Sequence, residues 1–156
     1  MKRTKTRRIV CIALLVVNLT VIWGNSLLPG EISGAISNAV KNFVMLFLPK
    51  GPGGPATGGG LIRKLGHFTE FSCLGMLLSW LVRMLCEDKI QVCLKPFFWG
   101  VLVACVDETI QRFVPDRGPN ILDVGIDALG IVMGIVIISL LQMKNKKINN
   151  MEETKL

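Results

Sequence analysis

"PFFWGVLVACVDETIQRFVPDRGPNILDVGIDALGIVMGIVIISLLQ", residues 96–142, contains two apolar runs joined by a polar turn. Each run is close to the ~20 residues that a helix needs to cross the hydrocarbon of a bilayer. Pro96 suits the first turn of a helix, so the first run reads as a span over 96–114. "PDRGPN" turns the chain, and the second span covers 121–142. Yet Asp107, Glu108, Gln111 and Arg112 crowd the end of the first run, and Asp123 and Asp127 the start of the second. Charge within a span is costly and normally faces a bundle interior or a wet cavity.

The rest of the chain supports a membrane setting. It has 156 residues, of which 51% are hydrophobic and 19% charged. With a mean hydropathy of +0.52, it is too apolar for an ordinary soluble domain of this size. The five cysteines include no C-x-x-C pair and lie mostly in apolar runs, which argues against a disulfide framework or a thiolate metal site. A single histidine excludes a multi-histidine zinc site within one chain. No cofactor and no metal is expected.

Upstream, "MKRTKTRR" (1–8) is a basic tail and residues 9–28 form an apolar run read as an uncleaved first span. In 31–48, Ile32, Ala35, Ile36, Ala39, Val40, Phe43, Val44 and Phe47 keep a helical i, i+3, i+4 pattern, with Ser33, Ser37, Asn38, Lys41 and Asn42 opposite. That predicts an amphipathic helix lying in the membrane interface, the alternative being a helix packed on the spans. "PKGPGGPATGGG" (49–60) reads as a loop, 61–82 as the second span, 83–95 as a polar link and 143–156 as a frayed polar tail. The expected fold is an all-α membrane protein, with a single domain over 9–142 that has four transmembrane helices and one extracytoplasmic interfacial helix.

The net charge of +7 is explained by topology rather than nucleic acid. Twelve of the eighteen Lys and Arg residues lie on one side of a four-span arrangement: the N-terminal tail, Arg83, Lys89, Lys95 and the C-terminal tail. The side richer in Lys and Arg is cytoplasmic. Both termini are therefore expected inside the cell membrane, with the amphipathic helix and the "PDRGPN" turn outside.

In that topology Glu70 lies roughly 13 Å from the outer end of the second span, at ~1.5 Å per residue. At ~100° per residue, Arg63, Lys64, His67 and Glu70 share a sector of about 120°. Asp107, Glu108 and Gln111 share about 100° of the third span, with Arg112 at its margin, and Asp123 and Asp127 are about 40° apart on the fourth. Three polar stripes at one depth predict one outward-open pocket, with Arg117 at its mouth. Other readings of these residues stay open. Arg63 and Lys64 could snorkel to the interface, Asp123 could cap the fourth helix after Asn120, and Gln111 and Arg112 could be in water. His67 could be a neutral core residue, and Glu70 and Asp127 a buried polar latch. Gly130 and Gly134, in "GIVMG", predict close helix approach below the pocket.

"KLGHFTEF" (64–71) resembles the K-x-x-H-x-x-E-aromatic signature of VanZ-like membrane proteins. "DETIQRFVPDRGPNILDVGIDALGIVMG" (107–134) resembles their D-E-x-x-Q segment, R-G turn, Asp and Gly-rich last helix. "GNSLLPG" (24–30) is similar to a Ser-containing segment of the same family. Two positions depart from the pattern. Phe71 stands where the family usually has Tyr, in a chain without any tyrosine, and Asp127 aligns with a usual Asn. The resemblance implies a bacterial envelope protein, and the name-giving member is linked to resistance to teicoplanin, a lipid-tailed glycopeptide.

The expected function is binding of a membrane lipid, a lipid-linked wall precursor or the lipoglycopeptide itself, with a homo-oligomer an open question. The ligand-binding residues are expected to be Lys64, His67, Glu70, Asp107, Glu108, Gln111, Arg117, Asp123 and Asp127. The alternative is an intramembrane hydrolase or transferase acting on an isoprenoid-phosphate-linked precursor, with His67, Glu70, Asp107 and Glu108 as acid–base residues. A small transporter is a third reading, opposed by inner halves of the spans that carry almost no polar groups.

Overall fold

The computed structural model describes residues 2–46, 59–86, 88–118 and 120–153. Five helices follow in order: α1 (Lys2–Ser26), α2 (Gly30–Met45), α3 (Gly59–Arg83), α4 (Lys89–Gln111) and α5 (Ile121–Glu153). No strand occurs among the described residues. α1, α3, α4 and α5 each carry a stretch long and apolar enough to cross a membrane, Thr4–Ser26, Gly60–Arg83, Ile90–Gln111 and Ile121–Lys144. The fold class read from the sequence therefore holds.

The packing is inverted relative to a soluble bundle. As many polar as apolar side chains are buried, while Ile9, Val16, Val17, Phe98, Trp99, Leu129, Leu140 and many others are exposed. Apolar surface on that scale is unstable in water and at ease in lipid. α3 is the hub and packs on all four other helices, most extensively on α5. Small residues make that contact close. A Cβ on Gly75 would fall 2.9 Å from Ile131 Cα, one on Gly130 2.6 Å from the Phe68 carbonyl, and one on Gly134 2.6 Å from the Met76 amide. Close backbone approach of this kind is how helices associate where lipid removes the hydrophobic drive between them.

Several boundaries differ from the sequence reading. The third span begins at Lys89 rather than at Pro96, so much of 83–95 is helix. Asp88 is the cause: its side chain accepts a hydrogen bond from the Ile90 amide at 2.8 Å, and such a cap contributes about 1 kcal/mol. Pro96 then sits buried inside the helix, a placement that membrane helices tolerate. α1 ends at Ser26, not Leu28, and α5 continues to Glu153 where a frayed tail was expected. The Gly/Pro loop lies outside the described residues over 49–58, as do 47–48 of the expected amphipathic helix and 154–156 of the tail.

α2 combines the two readings open for it. Ser33 and Ser37 are buried, and the helix packs on α3. Ile32, Ile36, Val40, Phe43 and Val44 are exposed along the same helix. Its start is pinned to the α4–α5 turn: the Gly30 amide donates to the Pro115 carbonyl at 3.0 Å. A side chain at residue 30 would collide with the Asp116 backbone, and Asp116 itself has a φ of 57°. α2 and the "PDRGPN" turn thus share one pole of the bundle. Arg8 and Met84 mark the other, joined by an Arg8 Nη2 to Met84 carbonyl hydrogen bond of 2.6 Å.

Candidate functional site

Two regions meet at Thr69 and Glu70 of α3. The first is a cavity of about 470 Å³ between α2 and α3, closed by the end of α1 and the α4–α5 turn. Its polar walls come from Asn25, Ser33, Ser37, Arg63, His67, Thr69, Glu70 and Arg117. Ile36, Val40 and Val44 give it one greasy side. A second, almost wholly apolar groove of about 530 Å³ runs along α1 and α3 between Leu14 and Trp80. Thr69 and Glu70 line both.

Arg117 lines the cavity with only part of its donor capacity used. One nitrogen, Nη2, donates to the Asn25 carbonyl at 3.0 Å. Nε and Nη1 are buried and have no hydrogen-bond partner among the described residues. Burial first, and the neighbouring Arg63 second, pull the Arg117 pKa down from its usual value, against Asp107 and Glu108, which raise it. A guanidinium remains charged through such shifts, so Arg117 presents an unsatisfied positive charge to the cavity. Arg63 and Lys64 are differently placed. Both lie near Asp123, at 3.7 and 3.8 Å, and Lys64 is not part of the cavity wall.

Behind His67 lies a buried polar cluster in which α3, α4 and α5 meet. Asp107 is fully buried and held from two directions: Ser26 Oγ donates to Oδ1 at 2.6 Å, and Gln111 Nε2 donates to Oδ2 at 2.9 Å. Ser26, at the end of α1, is itself fully buried. His67 Nδ1 stands 3.8 Å from Asp107 Oδ2 and 3.8 Å from Asp127 Oδ1, and its ring stacks on the buried Phe71. Both Asp127 oxygens, His67 Nδ1 and Gln111 Oε1 are buried without a hydrogen-bond partner among the described residues. Donor atoms of His67, Asp107 and Asp127 all fall within 4.8 Å of one another, a grouping of metal-ligating side chains found among the described residues.

Glu108 and Asp123 organise the α4–α5 turn. Glu108 Oε2 accepts from the Asn120 amide at 2.8 Å, while Oε1 is buried and unpaired. Asn120 Oδ1 accepts from the Leu122 amide at 3.1 Å, and Asn120 Nδ2 donates to Asp123 Oδ1 at 3.4 Å. Asp123 therefore joins the cap of α5 and also faces Arg63 and Lys64. Glu70 is held by α1: Asn25 Nδ2 donates to its Oε1.

The sequence-predicted pocket is thus divided. His67, Glu70 and Arg117 face the cavity, whereas Asp107, Glu108, Gln111, Asp123 and Asp127 are not in its wall. Arg112 is exposed and serves as the C-cap position of α4, which removes it from the site. Asn25, Ser26, Ser33, Ser37 and Asn120 join the site without having been singled out for it. For Ser33 and Ser37 a signal existed, because two serines four residues apart on an amphipathic helix mark one face. Asn25 and Ser26 carry no local signal beyond the "GNSLLPG" likeness, since their partners lie on other helices.

No curated protein and no solved structure matches the chain. A family model does: residues 8–142 match VanZ/LLP1. That match covers nearly all of the four spans, α2 and every side chain of the cavity and the buried cluster, and the chain accordingly belongs to the VanZ/LLP1 family.

Proposed function

We propose that the chain is a cell-envelope protein that binds a membrane amphiphile with an anionic head, and that it contributes in this way to resistance to lipid-tailed glycopeptides of the teicoplanin type. The carrying observation is the Arg117 guanidinium, with two buried nitrogens unpartnered at the wall of the cavity. Phosphate or carboxylate accepts from such a fork with charge-assisted hydrogen bonds. The shape of the site supports the same reading. The polar cavity and the apolar groove share Thr69 and Glu70, which suits a molecule with a compact charged head and a long hydrocarbon tail. Lipid-linked wall precursors and lipid-tailed glycopeptides both have that form. The exposed apolar face of α2 lies beside the cavity and suits entry of the tail from the bilayer.

The test is purification of the full chain in native lipid, followed by mass spectrometry of the lipids that stay bound. An isoprenoid-phosphate-linked species retained by the native chain and lost in Arg117→Ala is the expected result. Bulk phospholipid alone, in equal amounts in both, refutes the reading. Expression in a teicoplanin-sensitive host should raise the inhibitory concentration, and unchanged sensitivity removes the resistance part.

A second reading, an intramembrane hydrolase or transferase on the same class of lipid, is supported by one observation. His67 lines the cavity and also approaches two buried carboxylates, an arrangement that can pass a proton between the cavity and the protein interior. His67→Gln and Glu70→Gln should then abolish turnover of the bound lipid while leaving binding measurable. Identical lipid composition with native chain and variants rules this reading out.

A further inference from the structure

The buried cluster contains more unmet coordination capacity than proton sharing explains. Asp127 is 1% exposed, and neither of its oxygens has a hydrogen-bond partner among the described residues. His67 Nδ1 is also buried and unpartnered. A carboxylate left in that state within a membrane is strongly unfavourable. Both His67–carboxylate separations are 3.8 Å. That exceeds the range of an N–H···O hydrogen bond, ~2.7–3.2 Å. It is also shorter than the roughly 4.5 Å expected when one water bridges two groups at normal hydrogen-bond lengths. Two donors bound to a common metal at about 2.0–2.2 Å each lie within ~4.2 Å of one another, and 3.8 Å falls inside that limit.

The geometry points to a divalent transition-metal site formed by His67 Nδ1, Asp107 Oδ2 and Asp127. Its three ligands come from α3, α4 and α5, the three helices that converge at this depth. Two carboxylates neutralise a dication, and one imidazole beside them favours the zinc–manganese–iron class over magnesium or calcium. The scaffold is of the kind that supports a metal. Ser26 and Gln111 fix both oxygens of Asp107, and such outer hydrogen bonds orient ligands and tune affinity. Phe71 stacks on the imidazole and holds its plane. His67 also reaches the cavity wall, which gives an ion a route in. The site stands apart from the lipid-binding reading, because none of its ligands is an anion-binding cation and it is read out with no lipid ligand added.

The test uses the full chain in nanodiscs, stripped with chelator and dialysed against Mn²⁺ or Zn²⁺, with bound metal counted by mass spectrometry. One equivalent per chain is expected. Asp127→Asn and His67→Gln should abolish it, with helicity and gel-filtration profile unchanged. Glu31→Gln removes an exposed carboxylate from α2 and should have no effect. Ser26→Ala leaves all three ligands in place but frees Asp107, and should weaken binding about 10–100-fold. Mn²⁺-loaded protein should show ¹⁴N coupling in pulsed electron paramagnetic resonance, absent from His67→Gln. No stoichiometric binding of either ion, or binding that survives Asp127→Asn, overturns the proposal.

Discussion

A guanidinium with two buried, unpartnered nitrogens is held at a desolvation cost that a bound anion offsets. Arg117 is in that position because the turn it sits in is fixed from both sides. The Gly30 amide caps the Pro115 carbonyl, and Glu108 and Asn120 anchor the start of α5. Removing the side chain therefore subtracts binding without loosening the bundle. Arg117→Ala should weaken affinity for a fluorescent isoprenoid phosphate by about 1.5–3 kcal/mol, roughly ten- to a hundred-fold. Thermal unfolding should shift little. Titration of native and variant chains in nanodiscs measures this, and equal affinities contradict the role. Arg63 already has a carboxylate neighbour, Asp123 at 3.7 Å, so Arg63→Ala should have the smaller effect. This asymmetry was hidden in the sequence, where Arg63, Lys64, Arg112 and Arg117 are four similar cations. Tertiary placement separates them: Asp123 stands beside Arg63 and Lys64, and Arg112 is exposed at the end of α4.

The helices were legible because length and apolar content are local properties, and a 20-residue run carries its own reading. Their ends were less so. Asp88 starts α4 eight residues ahead of Pro96, and its cap competes with the strong start signal of a proline. The glycines of α3 and α5 are an intermediate case: "GIVMG" names a close contact but not the partner, and Gly75 shows only the weaker spacing of "GMLLS" (75–79). The structure pairs them, and the pairing has a measurable consequence. Gly134→Leu places a branched side chain against the Ser72 carbonyl and the Met76 amide, both backbone atoms that are unable to step aside. It should cost more than about 3 kcal/mol, since overpacking at a close helix contact cannot be relieved by rotamer changes. Gly125→Ala on the same helix meets nothing within 4 Å. It should instead leave stability unchanged or raise it by about 0.5–1 kcal/mol through reduced chain entropy. Comparing unfolding midpoints of the two variants in detergent checks both signs at once.

At the scale of the molecule, the arrangement of charge predicts which pole faces the cytoplasm. The pole opposite α2 carries basic groups anchored to the fold. Arg8 bonds the Met84 carbonyl, and Arg83 bonds Ser139 at 2.6 Å and Gln142 at 3.0 Å. α5 has 33 residues, about 50 Å at 1.5 Å per residue, against ~30 Å of hydrocarbon. Its last turns, with Lys144, Lys146 and Lys147 in their sequence, therefore extend past the bilayer at that same pole. At the α2 pole the Lys and Arg residues are fewer, and two of them, Arg63 and Lys64, lie beside Asp123. Lys and Arg near span ends determine orientation, and the expected outcome is a cytoplasmic location for both termini. Alkaline phosphatase fused after Gly118 should be active, and after Lys144 inactive, with a fluorescent-protein fusion giving the reverse. Neutralising Lys5, Arg7 and Arg8 together should reduce the contrast. Phosphatase activity at Lys144 but not at Gly118 would invert the chain and place Arg117 on the cytoplasmic side. An extracellular lipid-tailed glycopeptide would then have no access to the cavity, and the resistance reading would fail, while the metal site, which depends only on helix packing, would be unaffected.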